Sequence, residues 1–527
     1  MKIDVKKIIS KTWMYALMFI VLVLAISMKI DYHMDEVFSY GLANNVGQTS
    51  IHPYYAPFTY ENTPDIFLDY MVIEEGEGFS IENCWYNQER ESSPPLYYFA
   101  VHIMSVFAGE RFSRWTAGSI NLVFMVLALY MFRKILELFK VEGKELNLFT
   151  LYFIFCPGIL SIGTFFRMYA MAIFAAMTIT YLILKYRNRE TLWFYIGMIL
   201  ISVFAALTQY FLIFYLFFIS LFYGITLLYK KEWMKAVKYI VSMGIAGGLS
   251  YLIFPAIMTQ LFGEGRGSQG IDSFFAGFET YGEYIAKYIE IINKQLFGKL
   301  LGIFIFLGIV FCVFRLIARK KDGDSENRKF DLEKAESLCI AFLPTICYVL
   351  MVAKVAPYRT DRYVMAVYGM ITMAFLLGIR HMAHVLFREK EWIKRGSICA
   401  VCLVVLLSIW KDFKWPYLFL SQKEFLATMD TYSDVDGLCM TDAGWRISGN
   451  FIEFTKFDSM TFFQGGDMSI LGEMEELKNK DEFILYVVDY EPQQILDQIY
   501  EICPNVDTAD WIGHSDASEI FHVYSSK

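Results

Sequence analysis

Long apolar runs separated by short charged clusters set the pattern of the chain. Stretches 13–28, 146–166 and 239–261 contain no charged residue. About twenty such residues in a helix cross a hydrocarbon core of roughly 30 Å. The runs repeat along most of the sequence, which predicts a polytopic α-helical membrane protein. Spans are expected near 13–30, 115–133, 147–165, 168–185, 192–207, 210–229, 238–261, 299–317, 336–355, 362–380 and 396–412, about eleven in all.

The stretch 94–108 is apolar but reaches only about 23 Å as a helix. Counting it as a span would invert every later loop, so it is expected as a helix at the outer membrane surface. Pro94-Pro95 suits the first turn of that helix.

From Lys414 onward the pattern changes. Segments 436–442, 459–465, 482–490 and 518–525 read as strands, and 471–480 and 491–502 as helices. The expected layout is a membrane domain over 1–412 and a small extracytoplasmic α/β domain over 413–527.

Charge gives the sidedness. The net charge of −8 conceals an alternation of sign along the chain. Basic clusters include Lys2/Lys6/Lys7/Lys11, Arg133/Lys134/Lys140/Lys144, Lys230/Lys231/Lys235/Lys238 and Arg380/Arg388/Lys390/Lys394/Arg395. Basic loops stay cytoplasmic. Residues 31–91 hold 12 acidic residues against one arginine, Arg90, and so face outward within an outer loop over 31–114. The charged loop 319–336 is expected to be disordered, and GEGRGSQG at 263–270 to be a mobile outer loop. No large cytoplasmic segment exists to bind a nucleotide sugar or ATP, and no nucleic-acid partner is expected. The first run is too long for a cleaved signal peptide and reads as a retained anchor.

The candidate chemistry lies on the outer rim. Asp31-Tyr-His-Met-Asp35-Glu36-Val-Phe-Ser-Tyr40 follows the first span directly. In chain order come Ser92-Ser-Pro-Pro-Leu-Tyr97-Tyr98, Phe166-Arg167-Met-Tyr169, Thr208-Gln209-Tyr210 and Tyr358-Arg359-Thr-Asp361-Arg362-Tyr363. Each element alone also has an ordinary reading, as an acidic loop start or an interfacial anchor. Adjacent carboxylates at a membrane surface can take a proton from an acceptor hydroxyl. Arginines at span ends can hold a lipid phosphate through a planar fork of donors.

In order and sidedness, the series over about 10–380 resembles the GT-C glycosyltransferase superfamily, in the branch of protein O-mannosyltransferases and aminoarabinose transferases. The resemblance implies a GT-C-like fold and transfer of a sugar from a polyprenyl-phosphate-linked donor. The acceptor would be a hydroxyl of an envelope glycan, lipid or protein on the extracytoplasmic side of the bilayer. It implies Asp35 as general base with Glu36 beside it. It further implies Arg362, Arg167, Arg359, Tyr169 and Tyr363 at the donor phosphate, and Tyr97, Tyr98 and Tyr210 along the substrate cavity.

Two departures stand out. Ser92-Ser93 replaces a histidine before Pro-Pro, and Phe165-Phe166 replaces a polar pair before Arg-Met-Tyr. They leave the acceptor and a bound divalent cation open. His33, His52 and His102 lack the spacing of a metal site and are expected to make ordinary polar contacts. Two readings compete, a transporter or lipid flippase and a non-catalytic envelope protein. The spans carry almost no charge at their centres, where a transporter would place its ionisable residues, and this favours an interfacial enzyme. A bacterial cytoplasmic membrane is the expected location. Cys439 and Cys503, both in the tail, could be bridged in an oxidising compartment.

Overall fold

The computed structural model describes residues 5–46, 57–61, 63–74, 76–263, 266–321, 332–387 and 389–527. Among them, seven helices are long and apolar enough to cross a membrane, or nine if each of two bent pairs is a single span. Shorter apolar helices, Thr12–Ser27 and Leu192–Thr208, occupy two further expected span positions. Every expected span therefore finds a helix, but not every helix is long enough to count as a span by itself.

The breaks have local causes. The expected span at 147–165 is two helices, Gly143–Phe155 and Pro157–Thr164, bent by 53°. Pro157 lacks the N–H that would continue the first helix, but it is tolerated in the first turn of the second. The segment before the 299–317 span is itself helical, over Arg266–Phe275 and Tyr281–Phe297. Gly298 in the left-handed conformation ends the second of these helices. The next helix, Leu301–Lys321, leaves at 90°. Residues 267–270, expected in a mobile loop, thus lie in a helix. Most of the charged 319–336 loop lies outside the described residues. The short apolar helix is Leu96–Ala108, with Pro95 as its N-cap rather than in its first turn.

The tail forms a six-stranded sheet in the order β1-β3-β2-β4-β6-β5. Its strands are β1 (Phe58–Glu61), β2 (Gly437–Thr441), β3 (Ser459–Gln464), β4 (Glu482–Val488), β5 (Thr508–Ser515) and β6 (Ser518–Tyr524). β2 pairs in parallel with β3 and β4, and the outer pairings are antiparallel. β1 comes from the acidic segment after the first helix, so that segment is stitched into the sheet. The sequence reading foresaw β2, β3, β4, β6 and the helix Pro492–Ile502. It missed β1 and β5. It also placed one helix over 471–480, where a 3-10 turn, Ser469–Glu473, and a short helix, Glu475–Lys478, stand instead.

Alternation along the strands explains how the tail docks. Leu438, Met440, Phe463, Phe483, Leu485 and Val487 pack under the Pro492–Ile502 helix. Cys439, Met460, Phe462, Ile484, Tyr486 and Val488 point the other way, into an apolar core continuous with the membrane helices. The two tail cysteines are free and belong to opposite faces of the sheet. No bridge can therefore form without rebuilding the sheet. The Ile30 N–H donates to Leu418 O at 2.9 Å, tying the end of the first helix to the start of the tail.

Candidate active site

The acidic pair opens a helix, Met34–Asn44. His33 is its N-cap. The Asp35 N–H donates to His33 Nδ1 at 3.1 Å, and the His33 N–H donates to Glu36 Oε2 at 2.7 Å. This reciprocal cap satisfies two free donors of the first turn. It also fixes the direction of each carboxylate. Asp35 stays partly exposed, while Glu36 points inward and is fully buried.

Glu36 is held on all sides. Its Oε2 takes Lys29 Nζ at 2.9 Å, and its Oε1 takes the Phe166 N–H at 2.6 Å. Lys29 is equally buried and donates further to Tyr417 O at 2.5 Å and Thr164 O at 3.3 Å. The ammonium's three donors are thus all used. A sealed ion pair of this kind is tolerable only because both partners are fully hydrogen-bonded. It joins the end of the first helix, the 34–44 helix, the Phe165-Phe166 turn and the tail.

Asp35 lies on the other side and pairs with Arg362, 327 positions later in the chain. Arg362 is mostly buried beside the rings of Tyr358 and Tyr363. Its neighbour Asp361 anchors the short 3-10 turn Asp361–Tyr363. Asp361 accepts Gln295 Nε2 at 2.6 Å and the Tyr417 hydroxyl at 2.6 Å. Tyr417 stacks on Phe165 with centroids 3.9 Å apart, and Phe165 stacks on Tyr169. Tyr169 is buried within electrostatic reach of both Arg362 and Arg167.

The remaining expected residues divide. Arg167 Nη1 donates to Asp35 O, Ser39 Oγ and the Tyr98 hydroxyl, each at 3.0 Å. Arg167 therefore braces the acidic-pair helix from beneath. Tyr363 is buried against Phe211, and its carbonyl accepts the Tyr348 hydroxyl at 2.7 Å. Tyr97 is buried next to Tyr98. Arg359 turns away onto the Tyr284 ring at 3.6 Å and donates to Ala356 O and Pro357 O. Tyr210 donates to Gln260 Oε1 at 2.5 Å.

The sequence reading passed over Lys29, Tyr417 and Gln295. Only Lys29 carried a signal, as a charge set between apolar neighbours just before the acidic motif.

His33 caps the helix, and His102 Nδ1 meets Ala43 O at 2.8 Å. His52 lies outside the described residues. Among the described residues no group of three or more His, Cys, Asp or Glu could hold a metal ion. Asp35, the partly exposed carboxylate of the motif, is paired with Arg362, and no step is routed through a divalent cation.

Two buried carboxyls mark the junction with the tail. Burial pushes Asp31 up to about 7. Glu453 is also raised, first by burial and then by the Asp31 charge.

No protein-family model matches the sequence, and no curated protein matches it. Among solved structures, ArnT from Cupriavidus metallidurans bound to undecaprenyl phosphate is similar at 9% identity, over 97% of each chain, with a TM-score of 0.52. The apo form of that ArnT is similar at 10% identity, over 97% of each chain, with a TM-score of 0.50. Sequence identity this low carries the fold alone. The fold that the motif series implies is the fold this chain has.

Proposed function

We propose that the protein is a membrane glycosyltransferase that moves a sugar from a polyprenyl-phosphate donor to an acceptor hydroxyl, with Asp35 as general base. The observation that carries this reading is the Asp35–Arg362 pair, a carboxylate and a guanidinium brought together at a partly open rim. The likeness in fold to ArnT, an aminoarabinose transferase solved with undecaprenyl phosphate, supports a donor of that class.

The chemistry follows from the two groups. With no lipid phosphate nearby, Arg362 neutralises Asp35. A donor phosphate competes for the guanidinium and leaves the carboxylate free to act. Asp35 takes the acceptor's O–H proton while the acceptor oxygen bonds to the sugar's anomeric carbon. The bond from that carbon to the phosphate oxygen breaks, and the electron pair leaves with polyprenyl phosphate. Arg362 holds the added negative charge. Arg167 and the Glu36–Lys29 pair keep the helix in place and touch neither reactant.

The site and tail face outward in this reading, with the N-terminus inside a bacterial cytoplasmic membrane. Labelling a cysteine placed on the exposed tail surface, from outside intact cells, tests the sidedness. Mass analysis of envelope lipids and glycans from cells carrying the wild type or Asp35→Asn tests the function. One sugar-modified species should disappear with the variant. An unchanged envelope profile would remove the enzymatic reading and favour a transporter.

A further inference from the structure

The short 3-10 turn that carries Arg362, Asp361–Tyr363, is held at both ends. At its start, Asp361 Oδ2 accepts Gln295 Nε2 at 2.6 Å and Asp361 Oδ1 accepts the Tyr417 hydroxyl at 2.6 Å. Gln295 is oriented in turn by the Tyr368 hydroxyl, which donates to its Oε1 at 2.7 Å. At the end of the turn, the Tyr363 carbonyl accepts the Tyr348 hydroxyl at 2.7 Å. Gln295, Tyr368 and Tyr348 stand on the helices Tyr281–Phe297, Tyr368–Leu386 and Leu332–Val355. Tyr417 differs from them. It lies in the segment that joins the last apolar helix, Glu391–Asp412, to the tail.

Tyr417 also reaches the acidic pair. Its carbonyl accepts Lys29 Nζ at 2.5 Å, and Lys29 holds Glu36, the neighbour of Asp35. Its ring stacks on Phe165 with an interplanar angle of 10°. The same ring meets the ring of His33, the N-cap of the Asp35 helix, edge to face. Tyr417 is buried. One residue therefore bridges the two elements whose charged tips meet as Asp35 and Arg362. The backbone on either side of it is strained. Trp415 and Phe419 hold positive φ angles of 49° and 55°. Residues other than glycine rarely adopt this conformation. It persists where the surroundings enforce it, often at functional sites.

We propose that Tyr417 is a positioning residue for the transfer. Its hydroxyl sets where Arg362 stands relative to Asp35, and so tunes the guanidinium's hold on the donor phosphate. The inference rests on the reading of Arg362 as the phosphate ligand. Tyr417 acts through Asp361 and touches neither reactant. A hydroxyl bonded to a carboxylate is a strong, directional contact. Arginine is long, and its fork meets a phosphate in register only if the backbone beneath it is fixed. A shift of about 1 Å at a reacting group can cost a hundredfold in rate. Because Tyr417 lies at the root of the tail, the seating of the tail becomes part of the geometry of the site.

Tyr417→Phe isolates the hydroxyl. It leaves the ring to stack on Phe165 and the main-chain carbonyl to hold Lys29, so the Glu36–Lys29 pair stays closed. Asp361 keeps Gln295 and loses the Tyr417 hydroxyl, which loosens the start of the turn. A role limited to stability would lower lipid binding by the same factor whatever stands at position 362. A role exerted through Arg362 requires the effect to vanish with the guanidinium.

The test is a double-mutant cycle on the binding of bare polyprenyl phosphate to the full chain in nanodiscs. Tyr417→Phe should weaken binding roughly three- to tenfold, within the range of coupling between neighbouring groups. In the Arg362→Ala background the same change should cost nothing. Asp361→Asn offers one acceptor oxygen to two donors, so it tests the contact from its other end even where Tyr417→Phe does not fold. Its effect should also disappear in the Arg362→Ala background. Unchanged binding in Tyr417→Phe would overturn the proposal, as would an equal loss with and without Arg362. Equal binding by wild type and Arg362→Ala would instead overturn the assignment of the phosphate to Arg362, on which the inference rests.

Discussion

The two faces of one short helix carry neighbouring carboxylates with opposite fates. On the outer face, Asp35 is partly exposed and its partner Arg362 arrives from a distant turn. On the inner face, Glu36 is sealed with Lys29 and linked to three separate parts of the chain. The same residue chemistry therefore does different work according to what surrounds it. A charge that can exchange partners is available for reaction, whereas one with every hydrogen bond filled fixes geometry. Adjacency in sequence made the two look like a catalytic pair, but helix geometry places successive residues about 100° apart.

Perturbing the inner face should have the largest effect, and it should fall on stability. Lys29→Ala leaves Glu36 buried without its cation, a loss of about 3–5 kcal/mol. Thermal unfolding in detergent should show a fall large enough to compromise expression, and Lys29→Met with Glu36→Gln should recover part of it. If Lys29→Ala unfolded at the wild-type temperature, the inner face would not be the structural one.

The outer face should respond in rate. Asp35→Asn should lower turnover by at least about a hundredfold, the scale for a positioned general base, with the melting temperature nearly unchanged. A stability loss matching that of Lys29→Ala would erase the contrast between the faces.

A smaller effect sharpens the picture at the tail. Asp31 and Glu453 both sit above their usual range because burial disfavours their charged forms. The folded state then holds more protons than the unfolded state, so stability falls as pH rises. The contribution is complete near pH 4 and is lost as pH climbs through about 7 for Asp31. Proteolysis of the tail should accelerate across that window, and Asp31→Asn with Glu453→Gln should flatten the profile. Acceleration on acidification would reverse the assignment.

Much of the fold could be read in the sequence because apolar runs and basic loops report on bilayer thickness and sidedness. Every expected span position has a helix. Strand β1 could not be read this way, since Phe58–Glu61 is four residues in an acidic loop and becomes a strand only by pairing with β3. β5 is an edge strand with several exposed positions and a bulge, so its alternation is blurred. In the site, the order of motifs brought Asp35, Arg362, Arg167 and Tyr169 forward together. The sealing of Glu36 was hidden, because Phe166, which donates to it, and Tyr417, which accepts from its partner Lys29, meet it only in three dimensions. Arg359 shares a motif with Arg362, yet it packs on Tyr284 instead.

The central claim is that Arg362 exchanges Asp35 for a lipid phosphate. Equilibrium binding of bare polyprenyl phosphate to the purified full chain tests it without knowledge of the acceptor. Arg362→Ala should weaken binding roughly 10- to 100-fold, as expected for one charge-assisted contact. Asp35→Asn should bind at least as tightly as wild type, because the guanidinium no longer has a competing carboxylate. Equal affinity for wild type and Arg362→Ala, or a clear loss of binding in Asp35→Asn, would contradict the account.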